Sequence, residues 1–326
     1  MMAALVRFLL IAVILATAWA FRSHLGDVGG ALAGAGWSGV ALMSLYHPLA
    51  IALCGLAWFS LETGGTPMTF ILGRWVRDGV GELASFLPLA GEMAGARLLI
   101  CGGIRPAAAG AMTVVDVTAE VLAQFLFSLV GVTIWLTRHP TGDMVRWAMI
   151  GLGLSIPILA AFVLLQRSSV MRFLETLPSR LLPKVWPAPD AENGIHARIT
   201  ALWADHRRVG SAVLLHLAAW TVSAGEGWLA LKLLGHPLPF IDVLALECII
   251  FAIRSGAFFI PAALGVQEGG YMLLGAVLGL PPEVALAVSL LKRGRAVILG
   301  VPALLTWQLL EGRAARQRTA CRPSAQ

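Results

Sequence analysis

Long apolar runs separated by short polar segments dominate the sequence. Each of the six longest is close to or above the roughly 20 residues that a helix needs to cross the hydrocarbon core of a bilayer. These runs are Ala3–Phe21, Trp37–Ser60, Ala111–Leu136, Trp147–Leu165, Val209–Leu234 and Glu283–Leu310. The pattern predicts an all-α, polytopic integral membrane protein with about six full transmembrane helices. Because further spans follow it, we interpret the first run as a retained helix and not as a cleaved signal.

Two other apolar stretches are interrupted. Pro67–Gly103 contains charged residues and glycines, and Pro239–Leu280 is broken between positions 259 and 270 by Pro261, Gly265, Gly269 and Gly270. Irregular backbone at membrane depth is tolerated only where protein or a water-filled cavity surrounds it, because unpaired backbone groups are costly in lipid. We therefore predict that both stretches form re-entrant or discontinuous helical elements.

The composition points the same way. Of the 326 residues, 58% are hydrophobic and only 13% are charged, whereas soluble domains carry roughly 25% charged residues. This balance excludes a water-soluble globular fold. The net charge of +6 comes from basic residues that cluster between apolar runs and in the C-terminal tail, not on one solvated face. We therefore predict no nucleic-acid partner.

The distribution of lysine and arginine predicts the orientation. Basic residues are concentrated in segment 166–208 and in the tail after Glu311. Because such residues favour the cytoplasmic side, both termini and this segment should face the cytoplasm. We predict a single transmembrane domain, 1–326, composed of a first half (1–165), a cytoplasmic linker (166–208) and a second half with a basic tail (209–326).

An internal repeat relates the two halves. Shifted by 176 residues, the sequence matches itself without a gap at Glu92 and Glu268, Gly103 and Gly279, and Pro106 and Pro282. The predicted spans would give the halves opposite orientations, with one re-entrant element entering from each side. Inverted repeats with discontinuous helices are a common plan of transporters. The alternative is a membrane-embedded scaffold that arose by duplication.

Several ionisable residues lie inside the apolar segments, where each costs about 2.5–3.5 kcal/mol at the bilayer centre. Asp116 and Glu120 share one helix face, so these two carboxylates need a cation or a proton between them. The repeat aligns Asp116 with Lys292, and we predict an ion pair between Asp116 and Lys292 or Arg293 that joins the halves. The alternative is that such pairs only hold helices together.

The functional interpretation is a polar route for a lipid headgroup. Its candidate residues are Glu92, Arg97, Asp116, Glu120, Glu247, Arg254, Gly265, Gln267, Glu268, Lys292, Arg293 and Arg295. We find no metal-ligand spacing and no catalytic motif, and we predict no cofactor. His216 is interpreted as a polar packing residue, and the cysteines in apolar segments as small apolar side chains.

Motifs in both halves resemble one known family. The stretches 259–271 (FIPAALGVQEGGY), 279–283 (GLPPE) and 289–293 (SLLKR), together with 87–99 and 114–118, are similar to the lysylphosphatidylglycerol synthase transmembrane, or flippase-like, family. Within it, the hopanoid-biosynthesis-associated membrane proteins of the HpnL type are the most similar group. The resemblance implies a bacterial inner-membrane protein that moves a hopanoid, or an anionic or modified phospholipid, between leaflets. Proteins of hopanoid biosynthesis or export are the implied partners.

Three functions remain open at this point. The first is a lipid translocator without chemistry of its own. The second is an intramembrane enzyme that modifies lipid headgroups, and the third is a scaffold for hopanoid biosynthesis enzymes. The inverted repeat favours the translocator.

Overall fold

The computed structural model describes residues 25–61, 64–84, 89–139, 194–257, 260 and 263–320, and five isolated positions between 153 and 164. All regular elements in these ranges are helices, so the predicted all-α class is confirmed for them. The predicted span Ala3–Phe21 lies outside the described residues. So do nearly all of Trp147–Leu165 and most of the linker 166–208.

The described residues form ten helices. They are α1 (Leu25–Tyr46), α2 (Pro48–Ser60), α3 (Pro67–Leu83), α4 (Ala90–Cys101), α5 (Pro106–Arg138), α6 (Ile195–Ala204), α7 (His206–Leu233), α8 (Phe240–Gly256), α9 (Val266–Val277) and α10 (Pro282–Ala320). Among the described residues, two segments are long and apolar enough to cross a membrane, Gly36–Ser60 and Pro106–Arg138. The number of six spans stays a prediction.

Local sequence explains where several helices begin. Proline occupies the first position of α2, α3, α5 and α10, where its missing N–H costs nothing because that group has no partner within the helix. At α3 the side chain of Thr66 also accepts a hydrogen bond from the backbone N–H of Thr69. Each of these prolines thus marks the first residue of its helix.

The two interrupted stretches each form a pair of helices, and their boundaries correspond. Helices α4 (90–101) and α9 (266–277) have the same length and begin 176 residues apart. Both follow a residue with positive φ, Leu89 at 63° and Gly265 at 78°, and both precede a glycine with positive φ, Gly103 at 94° and Gly279 at 75°. Because few residues adopt this left-handed region, the correspondence supports the internal repeat.

Helices α2 and α7 pack against each other in antiparallel fashion. Arg208, near the start of α7, donates a hydrogen bond to the carbonyl of Leu61 just after the end of α2 (3.3 Å). Tyr46, just before α2, donates to the carbonyl of Val222 in α7 (3.0 Å), and these two residues are 176 positions apart. Tyr46 and Val222, which the offset of 176 residues aligns, therefore meet where α2 and α7 run in opposite directions.

Contacts between the halves also involve the outer helices. Helix α3 packs on α10, and α5 packs on α7 and α8. The indole N–H of Trp75 on α3 donates to the carbonyl of Leu299 on α10 (3.0 Å). Beside this bond, Gly79 lets the two helices approach closely, in the manner of small residues at helix interfaces in membranes.

The α3–α10 contact leads to a stability prediction. In Gly79→Ala, the added Cβ would lie 2.5 Å from Cβ of Ala303 and 3.1 Å from Cα of Gly300. Because the helices must separate to accept it, we expect a loss of about 1–3 kcal/mol, measured as a lower melting temperature in detergent. Gly210→Ala is the matched control, since its Cβ meets nothing within 4 Å. Equal melting temperatures for the two variants would contradict the packing described.

Candidate functional site

A cavity of about 500 Å³ lies between the two halves. Its wall combines apolar side chains of α2, α3, α7 and α8 with ionisable ones from both halves. The ionisable lining residues are His47, Arg74, Arg77, Asp78, Glu82, Glu92, Glu120, Arg254, Lys292 and Arg295. Pockets of about 300–1,000 Å³ are typical of small-molecule sites, so this cavity has the size of a small-molecule binding site.

Five of the twelve predicted site residues line the cavity: Glu92, Glu120, Arg254, Lys292 and Arg295. Asp116 and Glu247 lie behind the wall. Each accepts a hydrogen bond from a cation that does line it, Asp116 from Arg77 (2.6 Å) and Glu247 from Lys292 (2.5 Å). The sequence therefore identified part of the wall and part of the layer that supports it.

The other five predicted residues, Arg97, Gly265, Gln267, Glu268 and Arg293, are not among those lining the cavity. Glu268 accepts a hydrogen bond from the backbone N–H of Gly265 (2.8 Å), which closes the N-terminal turn of α9.

Glu268 also accepts from Arg293 on α10 (2.6 Å) and from Ser289 (3.0 Å), and Ser289 accepts from Gln267 (2.6 Å). The structure thus places Glu268 in a helix cap joined to α10, and not among the residues that line the cavity. The sequence showed that Glu268 is a charged residue in an apolar stretch, but it did not show which groups surround Glu268.

Two arginines on α3 hold the carboxylates of α5. Arg74 forms a bidentate pair with Glu120 (2.9 and 2.5 Å) and also contacts Asp78 (2.9 Å). Arg77 donates to both Asp116 (2.6 Å) and Glu120 (2.8 Å). Two carboxylates one turn apart would repel each other in a medium of low dielectric constant. The two guanidinium groups supply the cation that sequence analysis required.

The second half supplies two further buried pairs. Glu247 on α8 accepts from Lys292 on α10 and from the hydroxyl of Tyr271 on α9 (2.8 Å). Glu226 on α7 accepts from Arg295 (2.9 Å) and contacts Nδ1 of His47 (3.1 Å). These pairs tie α7, α8 and α9 to α10 and the start of α2.

The predicted ion pair between Asp116 and Lys292 or Arg293 is wrong. Asp116 is bonded to Arg77 and to His216, while Lys292 is bonded to Glu247. Equivalence in a repeat brings two residues together only when both lie on the axis that relates the halves. Among the described residues, Tyr46 and Val222 are one aligned pair that does meet.

Two ion pairs at the cavity wall are looser than the rest. Arg254 contacts Glu82 at 3.3 Å, and the two side chains are 26% and 35% exposed. Glu92 lies 3.8 Å from Nε of Arg77 and is 33% exposed. Long, partly exposed pairs of this kind contribute less to stability than short pairs of good geometry.

Sequence reasoning missed the cavity-lining face of α3. This face begins with Arg74 and continues three, four and eight positions later with Arg77, Asp78 and Glu82. Residues at these spacings share one face of a helix. We interpreted the first three only as interruptions of an apolar stretch. The spacing was the signal that would have identified them. Within the described residues, no His, Cys, Asp or Glu side chains are grouped so that they could hold a metal ion.

Comparison with known proteins identifies one family. The family model described as "Lysylphosphatidylglycerol synthase TM region" matches residues 4–303, which is most of the chain. No curated protein and no solved structure matches.

The buried pair of Lys292 and Glu247 leads to a second prediction. Lys292→Met leaves a charged Glu247 buried without its cation, and we expect a loss of about 3–5 kcal/mol. Adding Glu247→Gln removes that charge and should restore most of the stability. Thermal unfolding of both variants in detergent measures the effect.

Arg138→Met serves as the comparison, because it breaks a pair whose arginine is 45% exposed. We expect a much smaller loss there, because solvent-exposed ion pairs contribute little to stability. If the double variant is no more stable than Lys292→Met alone, the pair does not act as described.

Proposed function

Because the chain belongs to the lysylphosphatidylglycerol synthase TM region family, we propose that it is a lipid translocator in which the charged cavity between the halves carries the headgroup. Membership makes it a membrane-integral protein of a lipid-handling family. The proposal adds that the protein moves a lipid between leaflets, which lipid it moves, and in which cellular membrane it lies.

The observation that carries the proposal is a cavity lined by charged residues of both halves in a chain that is 58% hydrophobic. Ionised groups at membrane depth are expensive and mark substrate pathways when they face a cavity. Buried ion pairs are also a poor means of stabilisation, because well-packed apolar side chains of the same volume serve as well or better. A polar cargo is therefore the better reason for these charges than helix association alone.

The arrangement of the halves supports alternating access. Helices α2 and α7 pack in antiparallel fashion, and Tyr46 meets Val222, the residue that the proposed repeat aligns with it. A two-fold axis perpendicular to the helices is the geometry of an inverted repeat, in which rocking of one half against the other exposes a central site to each side in turn. In this proposal the acyl or polycyclic part of the lipid stays in the bilayer while the headgroup passes through the cavity.

Arg254 is the lining cation we assign to the first contact with cargo. Its ion pair with Glu82 is longer than the buried pairs of Arg74 and Arg295. The anionic group of a lipid headgroup can therefore displace the Glu82 carboxylate with little loss of interaction energy. The proposed cargo is a hopanoid, or an anionic or modified phospholipid, which the family resemblance implies. The proposed membrane is the bacterial inner membrane.

Leaflet exchange in reconstituted vesicles tests the proposal. We expect the wild-type protein to make a fluorescent phospholipid in the inner leaflet accessible to an added quencher without covalent change. Arg254→Gln should slow this exchange about tenfold, because a hydrogen bond to a charged group is worth roughly 1.5–3 kcal/mol. Labelled hopanoid and labelled phosphatidylglycerol in parallel vesicles identify the cargo class.

Arg138→Gln is the matched control. This arginine also pairs with an acidic residue, Asp242, but it lies at the end of α5 and outside the cavity lining. We expect its exchange rate to equal that of the wild type. No protein-dependent exchange of any lipid class, or equal rates for both variants, would refute the translocator.

The orientation has a separate test. The tail after Glu311 contains Cys321, and we propose that this tail is cytoplasmic because of its arginines. A membrane-impermeant maleimide should label Cys321 in inside-out vesicles and not in intact spheroplasts, as mapped by mass spectrometry of its peptide. Labelling of Cys321 in intact spheroplasts would place this terminus outside.

A further inference from the structure

Acidic residues outnumber basic ones in the cavity wall and directly behind it. Among the described residues, the basic lining side chains on α3, α8 and α10 are Arg74, Arg77, Arg254, Lys292 and Arg295. The acidic lining side chains on α3, α4 and α5 are Asp78, Glu82, Glu92 and Glu120. Three further carboxylates, Asp116, Glu226 and Glu247, accept hydrogen bonds from the basic ones. Seven carboxylates therefore face five basic groups, an excess of two negative charges.

Two histidines contact carboxylates of this cluster. Nδ1 of His47 lies 3.1 Å from Glu226, and Nε2 of His216 lies 2.9 Å from Asp116. Of the two, only His47 lines the cavity, and its side chain is 15% exposed, whereas that of His216 is fully buried. Histidine is the side chain whose charge ordinarily changes between about pH 5 and 8. Through His47, therefore, the cavity can gain a positive charge from solvent.

The hydrogen bonds around Glu226 determine where His47 takes up a proton. Arg295 donates to Oε1 of Glu226 (2.9 Å), and Nδ1 of His47 lies against Oε2. A carboxylate only accepts hydrogen bonds, so Nδ1 carries its hydrogen in both charge states of the ring and Nε2 is the atom that titrates. The neighbouring hydroxyl of Tyr46 donates to the carbonyl of Val222 (3.0 Å). Protonation of Nε2 thus leaves the contact with Glu226 in place and adds a positive charge beside it.

The predicted repeat does not account for this arrangement. It aligns His47, Glu226 and Arg295 with uncharged residues, which are Ser223, Ala50 and Ala119. Ala50 and Ala119 are buried, so the architecture accepts small apolar side chains at these places. The histidine and its two partners are therefore a feature of one side of the cavity.

An anionic headgroup would increase the excess of negative charge. In the proposed function its anionic group takes the place of Glu82 beside Arg254, and Glu82 then loses the guanidinium group that lies 3.3 Å away. An uncompensated charge is costly where the dielectric constant is low. A proton on His47 offsets this cost, because it adds one positive charge to the same cavity.

We propose that His47 is a proton-binding site of the cavity, and that an anionic headgroup enters the cavity together with a proton that binds there. The inference rests on the proposed function and makes lipid exchange a proton-coupled process. The proton comes from solvent to Nε2 and leaves with the headgroup. No covalent bond of the lipid changes.

Proton uptake on binding tests the inference directly. Dihexanoyl-phosphatidylglycerol is titrated calorimetrically into the full chain in detergent, in two buffers of different ionisation enthalpy, which gives the protons taken up per bound anion. At about pH 8 we expect about one proton, because a histidine that is neutral before binding becomes charged. Dihexanoyl-phosphatidylcholine, whose headgroup has no net charge, should cause no uptake. Absence of phosphatidylglycerol binding, binding without uptake, or equal uptake with both lipids would overturn the inference.

His47→Gln is the decisive variant. The glutamine amide can still donate to Glu226 but cannot gain a charge, so proton uptake should disappear while the fold is retained. His139→Gln is the matched control, because His139 also lies near a carboxylate, that of Asp242 (3.7 Å), but does not line the cavity. Its uptake should equal that of the wild type. Uptake that persists in His47→Gln, or that is lost in His139→Gln, would show that another group binds the proton.

The pH dependence of leaflet exchange gives a second readout. In vesicles with the same pH on both sides, exchange of labelled phosphatidylglycerol should slow by up to about tenfold per pH unit between about pH 7 and 9, because one proton must bind. His47→Gln should lose this dependence. A histidine with a purely structural role would instead change the rate equally at every pH. A wild-type rate that is constant with pH contradicts the coupling.

The proton site and the translocator can fail separately, because proton uptake is measured on binding and needs no exchange. Exchange without proton uptake contradicts only the proton site. Proton uptake without exchange contradicts only the translocator, and the cavity is then a proton-linked binding site for anionic lipid.

Discussion

Charged side chains at membrane depth must be neutralised by partners on other helices, and the rest of this structure depends on that requirement. An ion that would cost several kcal/mol alone becomes tolerable when a second ion and further hydrogen bonds satisfy it. Arg74 and Arg77 meet this condition by joining α3 to α5, and Lys292 and Arg295 by joining α10 to α7 and α8. The charges therefore determine which helices are neighbours as well as what the cavity can bind.

The same requirement separates supporting pairs from usable ones. The pair of Glu247 with the lining residue Lys292 is short and buried, whereas the pair of Arg254 with Glu82 is longer and partly exposed. A binding site that exchanges ligands needs charged groups whose ion-pair partners a ligand can replace. The helices that hold these groups need ion pairs that stay intact. Close contacts at glycines such as Gly79 complete the framework, because dispersion is the main attraction between helices in lipid.

Local sequence was sufficient to predict the breaks that end and begin several of the described helices. The prolines at 106 and 282 and the glycines at 103 and 279 act within a turn of their own position, so their effect on the backbone does not depend on distant residues. Because these local signals recur at the same spacing in both halves, the predicted repeat was visible in the sequence as a constant offset between matching residues. Five of the predicted site residues line the cavity because an ionisable residue in an apolar segment has few other places to face.

The sequence by itself determined the membrane character, the two interrupted elements and the residue types available to a polar site. Only the tertiary structure decided the partners: Asp116 binds Arg77 and His216, and Glu268 caps α9 and does not face the cavity. The physical reason is that an ion pair depends on the relative rotation and crossing of two helices, and neither quantity is encoded in the spacing of residues along one of them.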